Sequence, residues 1–162
     1  GKQLYASGTD GTVAGEAAAM FMANGNPAGA SAKLIAVNSL HHTDAEVMKQ
    51  YLRQFIINHL PDGEKIDLLL SGENGDNRLR GYYEGAEEVT GRETAVARFK
   101  HMSGEFPTAT AMGLWLCCRF LQGNEIPVHM IKSGKPEKGL RNILIYNNYK
   151  GIQHSFMLVA LP

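Results

Sequence analysis

Hydrophobic and polar positions change period several times along the chain. Val47, Met48, Tyr51, Leu52, Phe55 and Ile56 recur at helical spacing, with Lys49, Gln50, Arg53 and Gln54 on the opposite side. This is the pattern of an amphipathic helix lying on an outer face of the fold. Thr43-Asp44-Ala45-Glu46 just before it has the form of a capping box, with the Thr43 hydroxyl and Glu46 carboxylate each satisfying a free backbone N–H. Apolar runs of strand length predict strands at residues 32–39, 66–70, 126–131, 141–147 and 153–161. The run at 66–70, IDLLL, is apolar without alternation and predicts a central strand covered on both faces. Residues 78–88 read as a loop running into a helix that Gly91 ends, its acids forming a solvated face. Tyr149-Lys150-Gly151 is short enough to link two strands as a hairpin.

Residues 95–123 organise the rest. Val96 and Phe99 belong to a strand, Ser103-Gly104 breaks it, and the chain restarts at Pro107 as a helix. Ala109, Met112, Leu114, Trp115, Leu116, Cys117, Cys118, Phe120 and Leu121 leave that helix almost no polar face. A helix apolar all round must be covered on every side, and part of that cover is expected from another polypeptide segment. Upstream, residues 8–23 hold three glycines and then an Ala-rich apolar run, expected to be a buried strand in which Gly15 lets two backbones approach closely. Gly8, Gly11 and Gly15 do not have the spacing of a dinucleotide turn, and no phosphate-binding GxxxxGK[ST] occurs. The predicted fold is α/β: a mixed sheet of about five strands with helices on both faces, in a single domain over residues 1–162.

Composition narrows the function. With 16 Lys+Arg against 16 Asp+Glu and a pI near 7.2, no net charge favours nucleic acid or an anionic membrane. No apolar run reaches the ~18 residues of a membrane span, and no signal segment is visible. Adjacent Cys117 and Cys118 point in different directions on one helix and cannot close a loop, which suits a reducing compartment. A soluble, cytoplasmic protein is expected. The chain begins Gly1-Lys2 without methionine, which implies a tag remnant or a cut, with further sequence upstream. His41, His42, Asp44 and Glu46 could be read as metal ligands, but a cap followed by a helix explains the acids, so no metal and no cofactor is expected. The polar, glycine-rich loop from Ser71 to Asp76 follows the central strand, where α/β folds place their chemistry.

Several of these stretches, taken in order, resemble the C-terminal half of the β-ketoacyl-acyl-carrier-protein synthases, of the thiolase fold. Gly15-Glu16-Ala17-Ala18-Ala19 is similar to the family's GEGAA strand. Ile66 to Ser71 followed by Gly72-Glu73-Asn74-Gly75-Asp76 is similar to its hDYVNA strand and HGTGT…GD loop. Lys100 to Glu105 stands where the family has KSxxGH, ahead of the buried helix and of Ile126-Pro127, and Asn147 to His154 stands in the place of NSFGFGGxN. The resemblance implies a body of two halves with the buried helix between two sheets. It also implies a cysteine nucleophile in the N-terminal half and two histidines that stabilise the charge formed when malonyl thioester loses carbon dioxide.

Neither histidine is present: Ser71 or Gly72 takes the first position and Glu105 the second. By resemblance the catalytic positions are Lys100, Glu105 and Ser71, and the substrate-binding ones Gly72, Asn74, Tyr149, Gly151 and His154. An imidazole N–H can donate to a developing oxyanion, whereas an ionised carboxylate repels it. Lys100 would hold Glu105 ionised, so a structural Lys100–Glu105 pair is expected. His101 and Lys100 alternate in a strand on this reading, and His154, near the mouth of the last loop, is the candidate to replace a missing donor. Cys117 and Cys118, mid-helix without a basic neighbour, are explained by packing.

The implied partners are an acyl carrier protein or acyl thioester, an N-terminal ketosynthase half or a paired ketosynthase subunit, and further copies of this chain in a homo-oligomer. The function expected is that of a ketosynthase-like protein of fatty-acid or polyketide-type biosynthesis that is not competent alone. Two alternatives stay open: a non-catalytic subunit analogous to chain-length factors, and a stand-alone binding or structural α/β domain.

Overall fold

The strand-forming runs assemble into one mixed sheet. In the computed structural model, which describes residues 2–162, six strands lie in the order β1-β6-β5-β2-β3-β4. They are β1 (Lys33–His41), β2 (Leu68–Ser71), β3 (Ala95–Arg98), β4 (Ile131–Ser133), β5 (Asn142–Tyr149) and β6 (Gln153–Ala160). β2 is central, parallel to β5 on one side and β3 on the other, while β1, β4 and β6 run antiparallel to their neighbours. All four residues of β2 are buried, as its unbroken apolar run requires. Six strands agree with the mixed sheet of about five that the sequence suggests.

Helices cover both faces. On one, α2 (Ala45–His59) and α3 (Arg80–Thr90) set Met48, Leu52, Phe55, Tyr83 and Ala86 against Leu69, Leu144, Tyr146, Phe156 and Leu158. On the other, α5 (Ala109–Leu121) sets Leu116, Cys117, Phe120 and Leu121 against Leu68, Leu70, Ile143 and Ile145. Each fully buried Leu or Ile contributes about 2 kcal/mol of transfer free energy, and strand alternation divides them between the two cores. The short helices α1 (Lys2–Ala6) and α4 (Lys100–Ser103) lie beside the C-terminal ends of β2 and β3.

Four local expectations are corrected. The Ala-rich run forms no strand: its one bridge is Ala14 with Glu105, and Met20 and Met22 are 96% and 97% exposed. The run pairs with none of the six strands, and apolar composition alone satisfies no backbone group. The cap of α2 is Asp44, whose Oδ1 accepts from the N–H groups of Glu46 and Val47, and not Thr43. Residues 126–131 are not one strand. Pro127, fixed near φ −56°, leads into a 3₁₀ turn at Val128–Met130 before β4 begins at Ile131. Lys100 and His101 do not alternate in a strand, because they open α4.

The predicted close approach at Gly15 is present. A Cβ there would lie 1.9 Å from the Ser103 carbonyl oxygen and 2.7 Å from Gly104 Cα. Gly104, at φ +72°, meets Gly15 from the other side. Nothing larger than hydrogen fits at this crossing.

Helix α5 is covered on its sheet side and open on the other, where Trp115 is 46% exposed. Among the described residues no helix is long and apolar enough to cross a membrane.

Candidate functional site

The C-terminal ends of the parallel strands β2 and β3 carry a cluster of buried polar side chains. Strand alternation sends Leu68 and Leu70 toward α5 and Leu69 toward α3. The same alternation, continued, puts Gly72 on the α5 side and Ser71 on the α3 side. Ser71 is buried, its Oγ accepting the Glu73 N–H at 3.2 Å. Gly72 donates its N–H to the Tyr146 carbonyl at 2.8 Å and lies so close to β5 that a Cβ would fall 2.3 Å from Asn147 Oδ1. A side chain at position 72 therefore requires the Asn147 amide to swing away, and glycine itself brings no donor to the cluster.

Lys100 and Glu105 meet behind that loop. The Lys100 side chain is fully buried, and its Nζ donates to Glu105 Oε2 at 2.6 Å. Asn74 Nδ2 donates to the same oxygen at 2.8 Å, while Asn74 Oδ1 accepts the Asp76 N–H at 3.1 Å. Thr12 donates its hydroxyl to the Asn74 carbonyl. Both groups that reach Glu105 Oε2 are donors, so Glu105 acts there as an acceptor. Its Oε1 is buried without a partner, as is Asn147 Oδ1. Asn147 Nδ2 donates to Thr110 Oγ1 at 2.9 Å, tying the cluster to the start of α5. Burial pushes the Lys100 ammonium below its usual pKa, and Glu105 acts against that shift by charge and hydrogen bond.

On the α3 side of the same loop, Glu73 is held by Arg98 at 3.4 Å and Lys132 at 2.8 Å; Lys132 also reaches Glu87 at 2.6 Å. Asp76 caps the 3₁₀ turn Asn77–Leu79 and pairs with Arg78 at 2.6 Å, a hydrogen-bonded pairing that holds its carboxyl down to about 2. These pairs fix the shape of the loop.

Of the positions expected from sequence, Lys100, Glu105, Gly72 and Asn74 come together. Ser71, Gly151 and His154 do not join them, since they lie on the α2–α3 side. Gly151 packs near Leu79 and Tyr82 and donates its N–H to Asn148 Oδ1 at 2.8 Å. His154 is fully buried and fully bonded: Tyr146 and Asn148 approach its Nδ1 at 2.8 and 3.1 Å, and Nε2 faces the His42 carbonyl at 2.9 Å. It has no donor left over for a substrate. Tyr149 ends β5 with the Lys150 ammonium 5.1 Å above its ring. Asn147, which lies against Gly72, and its partner Thr110 had no role in the sequence reading. The signal for Asn147 was a polar residue on the strand face where Ile143 and Ile145 are apolar. Nothing in the sequence marked Thr110. Cys117 is fully buried, which pushes its thiol well above the usual range, so it packs and does not attack.

The mixed sheet with helices on both faces and a polar loop cluster at its parallel strand ends is an α/β fold. The sequence matches no protein-family model and no curated protein. Among solved structures it is similar to a chain of AntDE:AntF (apo), a type II PKS (polyketide synthase) acyl-carrier protein in complex with its ketosynthase bound to the hexaketide. The TM-score is 0.66 at 12% identity, over 82% of this chain and 39% of that one. This chain thus spans well under half the length of that relative.

Proposed function

We propose that this chain is one domain of a ketosynthase-like body of fatty-acid or polyketide-type assembly. On this reading it works with an N-terminal ketosynthase half or a paired ketosynthase subunit and with an acyl carrier protein, and it does not carry out condensation alone. The observation that carries the reading is the Lys100–Glu105–Asn74 cluster at the strand ends of a ketosynthase-like fold. Losing carbon dioxide from a malonyl thioester builds negative charge, which a donor stabilises and an acceptor opposes. Glu105 is an acceptor, position 72 is a glycine with no side-chain donor, and the cysteines lie in α5 rather than on a strand-to-helix turn. Two further observations support a partner: the open apolar side of α5, and a similar chain more than twice the span matched here.

The test mixes the 162-residue chain with malonyl- or acyl-loaded acyl carrier protein and with a type II ketosynthase subunit. Complex formation is measured by crosslinking and carbon dioxide release by trapping. Association without gas release from the chain alone is expected. Failure to associate with either protein overturns the family reading and leaves a stand-alone binding domain. Gas release by the chain alone overturns its incompetence. The acceptor at 105 also supports the second reading, a non-catalytic subunit analogous to chain-length factors. Glu105→His in the assembled complex separates the two, because a gain of release indicates an enzyme with an altered group and no gain indicates the silent subunit.

A further inference from the structure

Helix α4 and the Val128–Met130 turn bring together two imidazoles and a thioether outside the cluster described above. His129 Nε2 lies 3.2 Å from Met102 Sδ. The His101 and His129 rings meet edge to face with centroids 5.2 Å apart at 86°. His101 Nε2 is closed off from water and has no hydrogen-bond partner, an arrangement that is costly if nothing compensates it. Its other nitrogen, Nδ1, is 3.2 Å from the Tyr5 hydroxyl, which also accepts the His101 backbone N–H at 3.2 Å. Tyr5 thus fixes the orientation of the ring, and in the tautomer whose Nδ1–H donates to the Tyr5 oxygen Nε2 is the free ligand atom.

We propose that His101, Met102 and His129 form a binding site for a monovalent soft metal ion, Cu(I). Two ligands bonded to one metal at tetrahedral angles sit about 3.5 Å apart, close to the 3.2 Å between His129 Nε2 and Met102 Sδ. The donor set decides the metal. The three side chains bring two imidazoles and a thioether and no anionic ligand, and no three His, Cys, Asp or Glu side chains that could hold a metal ion converge among the described residues. A thioether with two imidazoles suits Cu(I). The Arg98 guanidinium, stacked 3.5 Å above the Tyr5 ring, adds a fixed positive charge that penalises a divalent ion more than a monovalent one. Tyr5 holds the non-ligating nitrogen, as supporting residues do for metal-bound histidines. This site stands apart from the condensing-enzyme reading and does not depend on it.

The test titrates the 162-residue chain with Cu(I) buffered by bicinchoninate under anaerobic, reducing conditions. One equivalent is expected to be retained. Met102→Leu and His129→Gln, both at exposed residues, each remove it, and Tyr5→Phe weakens it about tenfold. Cys118→Ser leaves it unchanged, which separates the site from the half-buried thiol on α5. Thermal melts confirm that each variant folds. No uptake, uptake that survives in Met102→Leu and His129→Gln, or uptake lost in Cys118→Ser overturns the proposal. So does equal retention of Zn(II).

Discussion

A single missing Cβ decides which of two neighbouring positions faces the cluster. Ser71 and Gly72 are equivalent in a sequence comparison uncertain by one residue, but alternation along β2 places them on opposite faces, and only glycine tolerates Asn147 at contact distance. Gly72→Ala is expected to cost about 1–3 kcal/mol through overpacking, read from urea unfolding. Lys100→Met strands the Glu105 carboxylate in a buried site and should cost about 3–5 kcal/mol. The double variant Lys100→Met/Glu105→Gln should recover much of that loss, and a double variant no more stable than the single one would show that the pair is not coupled. His154 makes a pH prediction. Burial lowers its pKa in the fold, and the His42 carbonyl acts the other way without cancelling the shift. The unfolded chain therefore binds more protons once the pH drops below about 6.5. The stability this histidine contributes is complete above that pH and declines as pH falls from it. The melting temperature should hold steady from pH 8 to about 7 and fall toward pH 5, and His154→Gln should flatten that decline.

At the scale of elements, helical and strand periods located α2, α3, α5, β1, β2, β5 and β6 well, and the boundaries were less well placed. Both Thr43 and Asp44 are good cap residues, and only backbone geometry chooses between them. Asp44→Ala should cost about 1 kcal/mol, while Thr43→Ala should stay within about 0.5 kcal/mol; the reverse ranking in denaturant midpoints would move the cap back to Thr43. The run after Gly15 has the composition of a strand and pairs with none of the six strands. A strand is defined by its neighbour, which composition cannot supply. Val128–Met130 makes the same point in reverse, because Pro127 turns an apolar run into a 3₁₀ turn.

For the whole molecule, α5 joins the sequence to the proposed function. Its apolar circumference was evident from the residues alone, and within this chain only the sheet-facing half is covered. Trp115 packs partly against the chain and partly outward. Trp115→Ser should therefore cost the chain less than the roughly 3–5 kcal/mol of a fully buried aromatic truncation, while abolishing association with the ketosynthase subunit in the crosslinking assay. A large loss of stability with association intact would place that side of α5 outside any interface. By itself the sequence determined the α/β class, the central apolar strand and the apolar helix, because periodicity and burial are written in the order of side chains. It also brought Lys100 and Glu105 within reach of each other, since they lie five residues apart across one tight turn. Only the tertiary structure decided that Asn74 reaches Glu105, that Asn147 lies against Gly72, that His154 is consumed by internal hydrogen bonds, and that His129 meets both the His101 ring and the Met102 sulfur. Those contacts join residues distant along the chain, and their distances depend on strand register and loop path, which no local pattern encodes.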